Sequence, residues 1–229
     1  MRKIIYVPII HMSSDMGSIA TFLEKGTANF IGQEIWEKHK EVVSQFWDSI
    51  AQFFDSLNVT GYKIYQDGQV VDGEDGIKII REGANQGSMN YKIIENLLER
   101  GAILVKTEDF ALVKQEHDFI KRIAESKSAR ERETAILRYK LAQNKLLDQR
   151  DSFIANTILK TLAQDETGIL FIGAYHNIIP KLTQDILIYE VKKRDKVIEY
   201  QNLLSNPRRD SKQFKQLAEY LISPVMINL

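Results

Sequence analysis

Cysteine is absent from this chain of 229 residues. That excludes disulfides, thiolate zinc sites and cysteine nucleophiles, so any metal would have to be held by His, Asp or Glu. The absence also fits a reducing compartment. An excess of one charge is lacking as well. Thirty-one basic side chains face 31 acidic ones, and no global field would hold the protein on nucleic acid or on an anionic membrane surface. Long hydrophobic runs are missing too. The apolar stretch 4–10 is too short for the core of a secretory leader, and nothing later approaches the roughly 20 apolar residues that span a bilayer. The expected location is the cytoplasm, away from membranes and nucleic acid. There is no Gly-x-x-x-x-Gly-Lys-Ser/Thr phosphate loop and no Gly-x-Ser-x-Gly nucleophile elbow. Gly83-Ala-Asn-Gln-Gly87 lacks both the third glycine and a clear preceding strand, which disfavours ATP and NAD.

What is present is enough apolar material, 44% of the residues, for a single buried core and one domain over 1–229. The β-branched run 4–10 reads as a strand buried on both faces and ending at His11. Over 33–57, Ile35, Trp36, Val42, Val43, Phe46, Trp47, Ile50, Phe53, Phe54 and Leu57 recur at helical spacing, which predicts a long amphipathic helix. A short strand over 61–65 is closed by Gln66-Asp67-Gly68. The glycines at 68, 73, 76, 83 and 87 suggest a loop or lid. A helix over 91–100, a strand over 102–106 with Thr107-Glu108-Asp109 as a helix cap, and an almost wholly helical stretch over 110–163 broken near 126–128 come next. Strands over 168–172 and 186–191 and helices around 194–204 and 210–222 complete the chain. Strands alternating with helices predict an α/β fold with a mostly parallel central sheet covered by helices on both faces.

In such sheets polar groups gather outside the carboxyl ends of the strands. That rule selects His11, Asp67, Glu108, Asp109 and His176. Histidine suits such a place because its unperturbed pKa of about 6.5 lets it serve as base, acid or neutral metal ligand. Gly173 would let the backbone turn sharply before His176. The bland alternative for each histidine is a hydrogen-bonded loop residue. Asp15 is placed either to orient His11 or to cap the next helix. Arg150, beside Asp151, would by itself be read as part of a solvated helix face. The alternating charges over 129–133 read the same way. His39 and His117, among charged residues within helices, are expected to face solvent. Lys192-Lys193-Arg194 and Pro207-Arg208-Arg209 read as helix-terminal charges.

The segment Gln149-Arg-Asp-Ser-Phe-Ile-Ala-Asn-Thr-Ile158, followed by Gly168-Ile-Leu-Phe-Ile-Gly-Ala-Tyr-His176, resembles the C-terminal signature of the TraB/Tiki superfamily, which also takes in erythromycin-esterase-like and ChaN-like proteins. In that pattern a helix beginning Arg-Asp/Asn-x-x-Met-Ala leads to an apolar strand ending Gly-x-x-His. Here Ile154 stands where Met is frequent. The family's first Gly-x-x-His would fall on Pro8-Ile-Ile-His11, with proline replacing glycine. The resemblance implies that Arg150 and His176 belong to an active centre, with His11 and, as the acidic member, Asp67. It implies a hydrolase of peptide or ester bonds. In a metal-dependent version His11, His176 and Asp67 would hold a divalent Mn, Co or Zn ion and its water. In a metal-free version a histidine would act as general base and Arg150 would stabilise the oxyanion. The alternative is a non-catalytic protein that binds a small molecule or metal in the same pocket, and the substituted glycine favours it.

Overall fold

The computed structural model describes residues 1–10, 31–204, 206 and 211–227. His11 and Asp15 lie outside the described residues. Among those residues the fold is α/β, with five parallel strands and seven α-helices. The strands are β1 (Arg2–Ile9), β2 (Lys63–Gln66), β3 (Ile103–Val105), β4 (Thr167–Gly173) and β5 (Ile186–Glu190). The helices are α1 (Gln33–Asp55), α2 (Gly73–Asn85), α3 (Met89–Glu99), α4 (Phe110–Ala124), α5 (Ala129–Thr161), α6 (Arg194–Leu204) and α7 (Ser211–Ile222).

The sheet order is β3-β2-β4-β1-β5. Alternate residues of each strand point to opposite faces, and both faces are apolar. Ile5, Val7, Ile9, Ile64, Ile169 and Phe171 join one cluster, whereas Ile4, Tyr6, Tyr65, Leu170 and Ile172 join the other. A strand buried on both sides must be continuously hydrophobic, which is why β1 and β4 are legible as uninterrupted apolar runs. The first face is covered by α1, whose Val43, Phe46, Trp47, Ile50 and Phe54 form a stripe at helical spacing, together with α6 and α7. The second face is covered by the inner part of α5 through Ile154, Ala155 and Ile158. The two connections from β1 to β3 run toward one edge over the first face. The two from β3 to β5 run back over the second. Reversing direction and face together keeps every crossover of one hand, as the twist of parallel sheets demands.

Pro8 sits inside β1 at no cost to the ladder. The Tyr6 carbonyl accepts from the Val191 N–H on the β5 side, and residue 8 points the same way. There the pairing with β5 has already ended at Tyr6, so the missing N–H forfeits no partner.

Two expectations are overturned. Residues 73–85 form helix α2, not a glycine-rich lid. Gly76 and Gly83 serve close packing: a Cβ on Gly83 would lie 2.3 Å from the Tyr91 ring, and one on Gly76 2.8 Å from the Val71 carbonyl. His39 does not face solvent. It is buried, with Nδ1 3.0 Å from the Tyr200 hydroxyl, and burial lowers its pKa to about 4. His117 is exposed as expected. Lys192 is a helix-terminal charge in an unexpected setting: it is buried, and its Nζ donates to the Tyr220 and Ser223 carbonyls at the end of α7.

Helices α4 and α5 form an antiparallel hairpin. From Asp109 to Lys145 no residue is buried, and on α5 burial begins only at Leu146. Among the described residues no helix is long and apolar enough to cross a membrane.

Candidate functional site

Asp67 follows β2 directly, and Gly68, with φ of 78°, turns the chain behind it. Glu108 follows β3 and fixes that turn, accepting the Gly68 N–H at 2.9 Å. His176 lies in the turn after β4, its N–H bonded to the Gly173 carbonyl at 3.0 Å. Gly173 is not among the left-handed residues of the chain. Its contribution is an N–H donated to Asp67 Oδ2 at 3.0 Å. Because every strand is parallel, these ends share one edge.

Arg150 and Asp151 reach this edge from α5. Leu146, Arg150, Ile154 and Ile158 recur every four residues and face inward, so Arg150 occupies a core position of the helix. It is 6% exposed, which rules out the solvated-face alternative. A guanidinium removed from water requires anionic partners. Nε donates to Glu108 Oε2 at 2.7 Å, one terminal nitrogen to Asp67 Oδ1 at 2.6 Å and also to Glu108, and the other to Glu116. Burial works against this charge, but the three carboxylates outweigh it and raise the Arg150 pKa. For Glu108 burial dominates and raises the pKa against the pull of Arg150. Both Glu108 oxygens nevertheless accept hydrogen bonds, the pattern of a carboxylate.

His176 is buried between two more carboxylate contacts. Nδ1 is 2.6 Å from Asp151 Oδ1, and Nε2 is 3.5 Å from Asp67 Oδ2. The other Asp151 oxygen accepts the Asn177 N–H at 2.8 Å. A carboxylate only accepts, so Nδ1 carries hydrogen and Nε2 is the atom turned to Asp67. Burial alone would lower the His176 pKa, but Asp67 and Asp151 overcome it and the net shift is upward.

Around this centre lies a cleft of about 480 Å³, bordered by Gln66, Asn90, Tyr91, Glu116, Tyr139 and Gln201. Its size suits a small ligand. A larger cavity of about 590 Å³ lies at the tip of the α4–α5 hairpin, among Arg122, Arg130 and Arg138. It touches no buried ionisable group, so the strand-end cleft is the better site on chemical grounds.

The structure thus brings Asp67, Arg150 and His176 together. It removes Asp109, which caps α4 by accepting the Ala111 and Leu112 N–H groups at 2.9 and 3.1 Å. It adds Asp151, Glu116 and Tyr139, whose hydroxyl donates to Glu116 at 2.8 Å. Asp151 shares the inward face of α5 with Ile154, a spacing that could have revealed it. Glu116 and Tyr139 lie where no residue is buried, and periodicity gave no sign of them.

For a divalent ion, His176 Nε2 and Asp67 Oδ2 are two potential donors, but both Asp67 oxygens already accept hydrogen bonds, one from a fixed guanidinium. Among the described residues no group of three metal-ligating side chains is assembled. The described residues alone therefore do not fit a metal, and the chemistry below is derived without one.

No protein-family model, no curated protein and no solved structure matches the chain.

Proposed function

We propose that the cleft is the centre of a TraB/Tiki-like hydrolase that cleaves an ester or peptide bond with His11, Asp67, Arg150 and His176 as its working set. The observation that carries this is the alignment of Asp151, His176 and Asp67, which leaves Nε2 of a fixed imidazole 3.5 Å from a carboxylate oxygen at the cleft. That separation is too long for a good direct hydrogen bond, and it leaves a water beside the pair within reach of both atoms. A water donating one hydrogen to Nε2 and the other to Asp67 Oδ2 turns its lone pairs outward, toward a substrate carbonyl carbon. As it attacks, His176 accepts one proton, and it later delivers that proton to the leaving alcohol or amine. Asp151 fixes the tautomer and supports the imidazolium that forms. Arg150 is a positioning residue here, because its bonds to Asp67, Glu108 and Glu116 occupy the donors that an oxyanion would need.

The direct test is turnover of p-nitrophenyl esters, lactones and fluorogenic peptides by the full chain, with and without added Mn, Co or Zn. Loss of at least a hundredfold in kcat for His176→Ala and Asp67→Ala, with circular dichroism unchanged, is expected. Activity that survives His176→Ala, or no turnover across all three panels, would sink the hydrolase. Calorimetric metal binding lost in a His11→Ala, His176→Ala double variant would instead favour the metal-dependent version.

The saturated guanidinium favours a second reading, a non-catalytic protein that holds a small molecule or a metal in the same cleft.

A further inference from the structure

Two buried acceptors open a question that hydrolysis does not answer. Gln66 and Asn90 are each 3% exposed and both border the cleft. Gln66 Oε1 and Asn90 Oδ1 have no hydrogen-bond partner among the described residues. Buried carbonyl oxygens left in this state are costly and mark a place where something else donates.

The charges around them are unequal. Asp67, Glu108, Glu116 and Asp151 are four carboxylates, each holding hydrogen bonds as acceptor. Against them stand Arg150 and His176. Arg194, bonded through Nε to the Ala174 and His176 carbonyls, has its guanidinium 3.6 Å from Asp195, while Glu190 is paired with Lys193 at 3.0 Å. Even with His176 protonated, the described groups leave negative charge in excess beside the two orphaned acceptors. A ligand that satisfied both deficits would bring hydrogen-bond donors and positive charge together. An anionic ligand would worsen the charge imbalance whatever donors it carried.

We infer that the cleft binds an ammonium-bearing ligand, one whose N–H groups meet Gln66 and Asn90 while its charge offsets the surplus of carboxylates. This names the substrate class of the proposed hydrolase and rests on the cleft being its substrate site. A neutral polyol would satisfy the acceptors alone, and charge is what separates the two.

The test uses three probes of one shape and different charge, namely glucosamine, glucose and glucuronate. Each is titrated into the full chain and followed by side-chain amide signals in ¹H–¹⁵N spectra. Binding is read without turnover and repeated in His176→Ala, so failure of hydrolysis and failure of ammonium recognition remain distinguishable. The expected result is saturable glucosamine binding, at least tenfold weaker for glucose and undetectable for glucuronate. It should weaken as salt is raised and fall at least fivefold in Asn90→Ala. That variant removes an orphaned acceptor, and its melting temperature should hold or rise, which separates lost recognition from lost folding. Glucose binding as tightly as glucosamine, glucuronate binding best, or no saturation by glucosamine at about 50 mM, well above the millimolar Kd of a weak complex, would each overturn the inference.

Discussion

Asp151 and His176 stand 25 residues apart in the chain, on a helix and in a turn, yet Oδ1 and Nδ1 meet at 2.6 Å in a buried contact. The bond ties the helix that crosses one face of the sheet to the end of its central strand. It also makes the protonation of His176 a property of the fold.

Replacing Asp151 with Asn keeps the shape but removes the charge that favours imidazolium. The His176 pKa should therefore fall from its raised position, which histidine NMR titration would register directly. If hydrolysis is the function, the pH at which activity appears should fall with it, because the base must be neutral to accept a proton. The sign for stability is the reverse of a carboxylate's. A raised histidine pKa contributes stability fully below the unfolded value of about 6.5 and loses it as pH rises through the folded value. The gap in unfolding free energy between wild type and Asp151→Asn, about 1–3 kcal/mol at pH 6, should narrow toward pH 9. A gap that widens instead would contradict it.

His39 works in the opposite sense. Its pKa is lowered by burial to about 4, so between pH 6.5 and 4 the unfolded chain binds the proton more readily and folding weakens as acid is added. A shift from about 6.5 to about 4 corresponds to roughly 3 kcal/mol over that window. Urea unfolding of His39→Gln should lack this component of the acid sensitivity. An unchanged acid slope would show that other groups govern it.

Arg150→Met would leave Asp67, Glu108 and Glu116 facing one another without their shared cation. A loss of about 3–5 kcal/mol is expected from chemical denaturation. Arg150→Lys should recover little, since an ammonium cannot reproduce the paired bonds to Glu108 while still reaching Asp67 and Glu116. Adding Glu108→Gln to Arg150→Met should recover part of the deficit. Independence of the two changes would contradict the ion cluster.

Gly83→Ala tests close packing against intrinsic preference. In an exposed helix the change would add about 1 kcal/mol of stability. Here the new methyl meets the Tyr91 ring at 2.3 Å, and a net loss of about 1–3 kcal/mol is expected. A higher melting temperature would mean that Tyr91 swings aside freely.

The sheet was legible because strands buried on both faces leave little choice of residue: 4–10 and 168–172 are uninterrupted, and the carboxyl ends of the parallel strands mark the edge where Asp67 and His176 meet. The α2 region was misread because glycine has two uses. At Gly68 it turns the chain, whereas at Gly76 and Gly83 it lets neighbouring groups approach, and sequence does not distinguish these. His39 was hidden by Lys38, Lys40 and Glu41, although its spacing to Val43, Phe46 and Ile50 places it on the buried stripe. Glu116 and Tyr139 were illegible for a different reason. They are drawn into the site by Arg150, a long-range pairing with no local pattern.

Helix α5 runs for 33 residues, a rod of about 50 Å. Its inner end is fastened into the sheet from Leu146 onward, while none of its residues from Ala129 to Lys145 is buried. That geometry makes it a lever with its fulcrum near Leu146. Arg130 lies about 24 Å to one side and Arg150 about 6 Å to the other, a ratio of about four. A swing of about 2 Å at the tip would move the guanidinium by about half an ångström, which is the tolerance of catalytic alignment. A contact that displaced the far end of the hairpin by that amount would therefore reach Asp67 through Arg150 without entering the cleft.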